Sequence, residues 1–268
     1  MKKILLVLAA MAVTSGVQAQ LAITALNSPQ TVTFDATLSG VSNAQFGGSG
    51  FQSTPTAGQL DSDAWAVTGL SDGALAFGGT RTTASTDYTR GNTSVAVTTG
   101  GIYAFGSTDR QLMIQPGGTD WAPGTLTMRI LNSTGSSVSS WTLGYELYVR
   151  NDQARSNSFN FSYSTDDITY LTLGLTGNFT YTSTAALDAL GWQNLGALSA
   201  TVSATVANSG SLYIRWSGAD VGGSGSRDEF GIDDITVAAI PEPSTYALLG
   251  LGLGALWFLR RKKPAAKA

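Results

Sequence analysis

An all-β fold, two antiparallel sheets packed as a sandwich, is what the central part of this chain predicts, and three observations predict it. Apolar residues come in short runs that alternate with polar ones, Gly, Ser and Thr separate the runs, and only residues 185–190 look helical. Period 2 is the mark of a strand because successive side chains point to opposite faces, whereas a helical face repeats every 3.6 residues. A domain of about 220 residues is long enough to bury one core without disulfides.

The chain opens on Met1, Lys2 and Lys3, followed by an apolar run over 4–13 and small residues over 14–19. A basic start, a short apolar run and small side chains at Val17 and Ala19 make a secretory signal peptide, to be cut by a signal peptidase between Ala19 and Gln20. The run is too short for a bilayer-spanning helix, which needs about 20 apolar residues. In 30–38, Val32, Phe34, Ala36 and Leu38 alternate with Thr31, Thr33, Asp35 and Thr37, the pattern of a half-buried strand. Similar pieces follow at 94–98, 101–105, 126–131, 141–150, 157–164, 169–174, 198–206, 212–217 and 232–237. Gly-rich 47–50 and 222–225 read as surface loops. Neither is a phosphate cradle, since no Lys follows and no βαβ unit surrounds them. This spacing of strands suggests a jelly-roll-like sandwich. The expected organisation is a signal peptide over 1–19, a β-sandwich domain over 20–239, and a sorting and anchoring segment over 240–268, so that a signal helix and a hydrophobic helix flank the sandwich.

Charge is distributed unevenly. Every Lys lies in the terminal segments, and residues 20–240 carry eight Arg against seventeen Asp plus Glu, a local net of −9. Such a domain repels phosphate backbones, which excludes nucleic acid as an expected partner. The chain has no Cys and no His. Thiol nucleophiles, zinc-thiolate sites and the Ser-His-Asp triad are therefore excluded.

After Ile240 come Pro241, Glu242, Pro243, Ser244 and Thr245, then apolar residues 246–259, then Arg260, Arg261, Lys262 and Lys263. Fourteen helical residues cover about 21 Å of a hydrocarbon core about 30 Å thick, which makes a marginal anchor. The basic cluster keeps this end cytoplasmic and leaves the domain outside. Two prolines bar helix and sheet pairing and hold Glu242 extended, open to a protease. This tripartite tail resembles the PEP-CTERM sorting signal of Gram-negative bacteria. The resemblance implies an exosortase-type protease as partner, cleavage near Pro241-Glu242-Pro243, a precursor held in the inner membrane, and a product at the cell surface or in an exopolysaccharide matrix.

Residues 159–170 resemble a hairpin of bacterial extracellular sandwich modules, and Gly231-Ile232-Asp233-Asp234-Ile235 resembles the last strand of MAM-like and carbohydrate-binding jelly rolls. Period-2 geometry puts Asp233 and Asp234 on opposite faces of that strand, so one carboxylate points toward a core unless a bulge intervenes. A buried carboxylate must be paired, protonated or metal-bound. A structural Ca²⁺ held by Asp233 or Asp234 with help from Asp35 is one expectation, which the resemblance also implies. An ion pair with Arg215 or Arg227 is the other. Arg150, Arg155 and Trp216 are candidate sugar-binding residues, and Trp65, Trp121, Trp141 and Trp192 offer further rings for a platform or a core. The leading expectation is a noncatalytic surface or matrix protein associated with exopolysaccharide. The alternatives are a Ca²⁺-dependent lectin-like module and a glycoside hydrolase using Asp61/Asp63, Asp166/Asp167 or Asp228/Glu229.

Overall fold

The computed structural model describes residues 20–173 and 179–241, with Leu253, Leu256 and Trp257. The signal segment up to Ala19, Gly174, and Glu242, Pro243, Arg260, Arg261, Lys262 and Lys263 lie outside the described residues.

Among the described residues the chain forms eighteen strands. In order they are β1 (Leu21–Ile23), β2 (Gln30–Val32), β3 (Ser42–Asn43), β4 (Phe51–Gln52), β5 (Gln59–Asp61), β6 (Trp65–Thr68), β7 (Asn92–Thr93), β8 (Gly101–Phe105) and β9 (Gln111–Gln115). The longer strands follow: β10 (Gly124–Asn132), β11 (Val138–Arg150), β12 (Arg155–Ser164), then the short β13 (Leu171–Thr172) and β14 (Thr180–Thr182), then β15 (Gln193–Val206), β16 (Ser211–Gly218), β17 (Asp220–Gly223) and β18 (Glu229–Ile240). One sheet runs β1-β10-β16-β12-β13, with β6 on β10 and with β14 and β17 on β12. The second runs β15-β11-β18-β9-β8-β7, with β2 on β18, and β3-β5-β4 form a small third sheet.

The long strands keep period 2. In β11, Trp141, Leu143, Tyr145, Leu147 and Val149 are buried, while Thr142, Glu146, Tyr148 and Arg150 face outward. Inner faces of the two sheets meet through aromatic rings: Tyr145 of β11 lies 5.2 Å from Phe161 of β12 and 5.5 Å from Trp216 of β16, and Phe230 of β18 stacks 5.0 Å from Phe159. One hydrophobic cluster extends from Leu21 to Ala239. The fold is the all-β sandwich that the alternation predicts. At the C-terminal flank Leu253, Leu256 and Trp257 are helical and exposed. No helix among the described residues is long and apolar enough to cross a membrane.

Four local expectations are corrected. The strand at 30–38 stops at Val32, because Phe34 takes φ 57° and turns inward to pack on Phe46 and Trp65. Asp35 therefore sits in a bend. Residues 94–98 follow a short strand, β7, instead of forming one. Residues 185–190 are bends and irregular chain, held by Asn151, whose side chain donates to Thr184 Oγ1 (3.0 Å) and Ala186 O (2.9 Å). Gly222 and Gly223 belong to β17, paired with Ser156 and Arg155.

Candidate functional site

The last strand, β18, runs through the middle of the second sheet. Between Gly144 and Glu146 of β11, the paired positions on β18 pass from Thr236 to Asp233, so one residue is extra. This is a β-bulge, and Asp234 occupies it at φ 47°. The bulge lets Ile232 and Ile235, three residues apart, both enter the core. Neither carboxylate points inward: Asp233 lies on the outer face at 2% exposure and Asp234 is exposed.

On the outer face of the second sheet, residues of five strands line up in register, buried at Tyr103, Met113 and Gly231 and accessible at Tyr148 and Asn194. Tyr103 of β8 faces Met113 of β9, Met113 faces Gly231 of β18, Gly231 faces Tyr148 of β11, and Tyr148 faces Asn194 of β15. Gly231 leaves room at the centre of this row. A Cβ there would lie 3.1 Å from Gln111 Oε1, 3.3 Å from Tyr148 Cβ and 3.7 Å from a ring carbon of Trp192. Trp192 packs 4.6 Å from Phe105, and both rings are partly exposed. Glu146 Oε2 accepts hydrogen bonds from Tyr148 Oη (2.9 Å) and Asn194 Nδ2 (2.8 Å). An open cavity of about 340 Å³ borders Glu146, Gly144, Ala197, Asp234 and Thr236 on one side. Another of about 380 Å³ borders Asn194, Gln193, Asn151 and Tyr181 on the other.

Two carboxyls bracket this row. Burial pushes Asp233 up to about 8, and the charges of Asp234, Asp109 and Asp35 add to the rise. Its Oδ1 accepts from Asp234 N at 2.8 Å. Burial likewise pushes Glu229 up to about 8, although Glu229 Oε1 accepts from Val97 N at 3.0 Å. Burial thus shifts each toward its protonated form, one of the ways in which a buried carboxylate is accommodated.

The sequence-derived site residues are dispersed. Arg215 pairs with Asp167 (3.1 Å) and Arg227 with Asp220 (2.6 Å), so neither meets Asp233 or Asp234. Asp35 is near enough to raise both, but its Oδ1 accepts from Arg110 N at 2.8 Å. Among the described residues no group of three or more Asp or Glu side chains is placed to hold a metal ion. Trp216 is fully buried against Tyr145 and Phe161 and cannot stack on a sugar. Arg150 lies opposite Glu229 on the outer face and pairs with Asp152 (2.7 Å), while Arg155 belongs to the other sheet and pairs with Asp220 (2.5 Å). Of the five named tryptophans, Trp65, Trp121, Trp141 and Trp216 have no exposed surface, and Trp192 alone is partly open. Tyr148, Phe105 and Glu146 are additions that only the strand register reveals. Asp166 is a turn residue: its Oδ1 accepts from Ile168 N and Thr169 N (2.9 and 2.8 Å), which hold its carboxyl down at about 2.

The final strand of the sandwich runs directly into a Pro-Glu-Pro tail. Residues 239–263 match the PEP-CTERM protein-sorting motif, the signal of an exosortase-processed, membrane-anchored precursor. No curated protein matches the chain. Among solved structures, TmCBM61 in complex with beta-1,4-galactotriose is 12% identical, with 50% of this chain and 72% of that chain covered and a TM-score of 0.27. The CBM28 carbohydrate-binding module specific for non-crystalline cellulose is 14% identical, with 50% and 78% covered and a TM-score of 0.30. The N-terminal cellulose-binding domain of Cellulomonas fimi beta-1,4-glucanase C is 13% identical, with 67% and 91% covered and a TM-score of 0.31.

Proposed function

We propose that this protein is a noncatalytic polysaccharide-binding component of the cell surface or extracellular matrix of a Gram-negative bacterium, delivered there by its sorting tail. The observation that carries the reading is the outer row on the second sheet, where Trp192 and Phe105 offer ring faces beside Tyr148, Glu146 and Asn194. Ring faces suit the C–H faces of a pyranose, and fixed amide, hydroxyl and carboxylate groups suit its hydroxyls.

Glu229 and Asp233, the two carboxyls beside this row, do not have the spacing of a glycosidase pair. Glu229 and Asp233 stand four residues apart on one strand, about 13 Å at 3.3 Å per residue. Paired glycosidase carboxylates are separated by about 5–9.5 Å. Among the described residues the side chain between them is the hydrogen of Gly231, and both carboxyls are shut away from solvent.

The test is a calorimetric titration of the mature protein with purified exopolysaccharide from the cells that make it. Trp192→Ala should weaken binding at least about tenfold, the factor that corresponds to 1.4 kcal/mol. Val221→Ala, at an exposed position on β17, should leave it unchanged. Equal binding by all three proteins would move the site elsewhere, and no binding by any would remove the reading.

A further inference from the structure

The way β18 leaves the sandwich fixes which end of the domain the tail can hold against a membrane. Ile240 is the last residue of β18 and pairs with Ser140, and its neighbour Ala239 is fully buried and accepts a hydrogen bond from Asn27 N at 2.8 Å. The sheet therefore grips the chain to its final residue before Pro241. Six Cα steps separate Ile240 from Tyr246, where the apolar run starts. At about 3.6 Å each they span at most roughly 22 Å. β11 alone, with thirteen residues, is about 43 Å long. The far end of the sandwich lies beyond that tether.

Three loops surround the exit of β18, and hydrogen bonds tie them together. Residues 24–29 join β1 to β2, 133–137 join β10 to β11, and 207–210 join β15 to β16. Ser133 N donates to Ile23 O (2.8 Å), Ser209 N to Asn132 O (2.7 Å) and Gly135 N to Asn208 Oδ1 (2.9 Å). None of these loops contains Asp, Glu, Lys or Arg, in a domain with eight Arg and seventeen carboxylates. The acidic turn after β12 projects toward the same end at the far side of β16, and there Asp167 is paired with Arg215 while Asp166 is exposed. Charges closer to anionic headgroups than a Debye length of about 8 Å are repelled with little screening. The three loops nearest the tail carry no charge, so this part of an otherwise acidic domain can lie against the headgroups without repulsion, while the exposed Asp166 stays on the far side of β16.

We propose that loops 24–29, 133–137 and 207–210 form a membrane-docking surface that rests on the lipid headgroups while the precursor is held by its tail. The proposal depends on the tail being membrane-held. Docked this way, the sandwich leaves the sheet face that bears Trp192 and Tyr148 at its side, open to polymer while the protein is still anchored.

The absence of native Cys makes single-site labelling direct. Full-length chain is reconstituted into phosphatidylcholine–phosphatidylglycerol vesicles after Ser28→Cys, Ser136→Cys or Ala207→Cys substitution and fluorophore labelling, with a quencher on the lipid headgroups. Ser224→Cys, in the loop before β18 at the opposite end, is the control. Strong quenching at the first three positions and none at Ser224 is expected. Adding Asp at the two unlabelled loop positions should abolish it on these vesicles and not on pure phosphatidylcholine. Vesicle-bound protein with no quenching at any position would overturn the docking alone. Quenching that appears only after a sorting protease is added would also overturn it, in favour of a protein partner. Protein that fails to float with vesicles would overturn the anchoring on which the docking rests.

Discussion

Asp233 and Glu229 are the residues whose chemistry the fold changes most. Each has a folded-state pKa of about 8, against ordinary values of 3.8 and 4.5. A carboxyl whose pKa is raised on folding contributes stability that is present below its unfolded pKa and lost as pH rises through its folded value. The two should therefore make unfolding free energy decline from about pH 4 to about pH 8. Asp220 has the opposite sign, because hydrogen bonds from Arg227 and Arg155 lower its pKa, and its contribution disappears only as pH falls below the carboxylate range. Asp233→Asn should flatten the decline and leave the variant more stable than the native chain at about pH 8, by on the order of a few kcal/mol. Urea titrations across that range measure this, and a flat native profile would show that both groups ionise without penalty. Asp234 holds φ 47° next to Asp233. Asp234→Gly should stabilise by about 1 kcal/mol through relief of a left-handed backbone, read as a higher urea midpoint with an unchanged slope.

The bulge in β18 is an element-scale device. It spends one residue so that Ile232 and Ile235 both reach the core while two adjacent carboxylates stay outside it. The cross-sheet aromatic contacts are the other. Trp216→Ala removes a ring packed against Tyr145 and Phe161 and should cost about 3–5 kcal/mol, whereas Trp192→Ala, at the surface, should leave the urea midpoint close to native. These elements also show what can be read from sequence. Strands such as β11 and β16 are legible because their alternation is local and unbroken. The early end of β2 is not, because Phe34 continues the apolar alternation while its backbone turns to φ 57° for tertiary packing. The helical spacing of 185–190 yields to hydrogen bonds from Asn151, more than thirty residues earlier. The site row joins β8, β9, β18, β11 and β15. No local pattern assigns Trp192 to it and Trp216 to the core, since both follow from register between distant segments.

At the scale of the whole molecule, the tail was the most legible part, because motif, apolar run and basic cluster are contiguous and owe nothing to tertiary contacts. The sandwich gives that tail a rigid attachment: β18 carries the sheet up to Ile240, and the sorting motif matched over 239–263 starts while the chain is still in the sheet. A protease acting near Pro241 works beside folded structure, and its product should keep every strand. Inserting a Gly-Ser spacer between Ile240 and Pro241 should leave the unfolding midpoint of the domain unchanged, measured by thermal melting of the mature protein. The central claim is that this is an exported precursor processed at both ends, and intact mass spectrometry of protein recovered from the native envelope and medium tests it most directly. The account predicts a mature chain that begins at Gln20 and ends between Pro241 and Ser244; a chain still ending at Ala268 would contradict it.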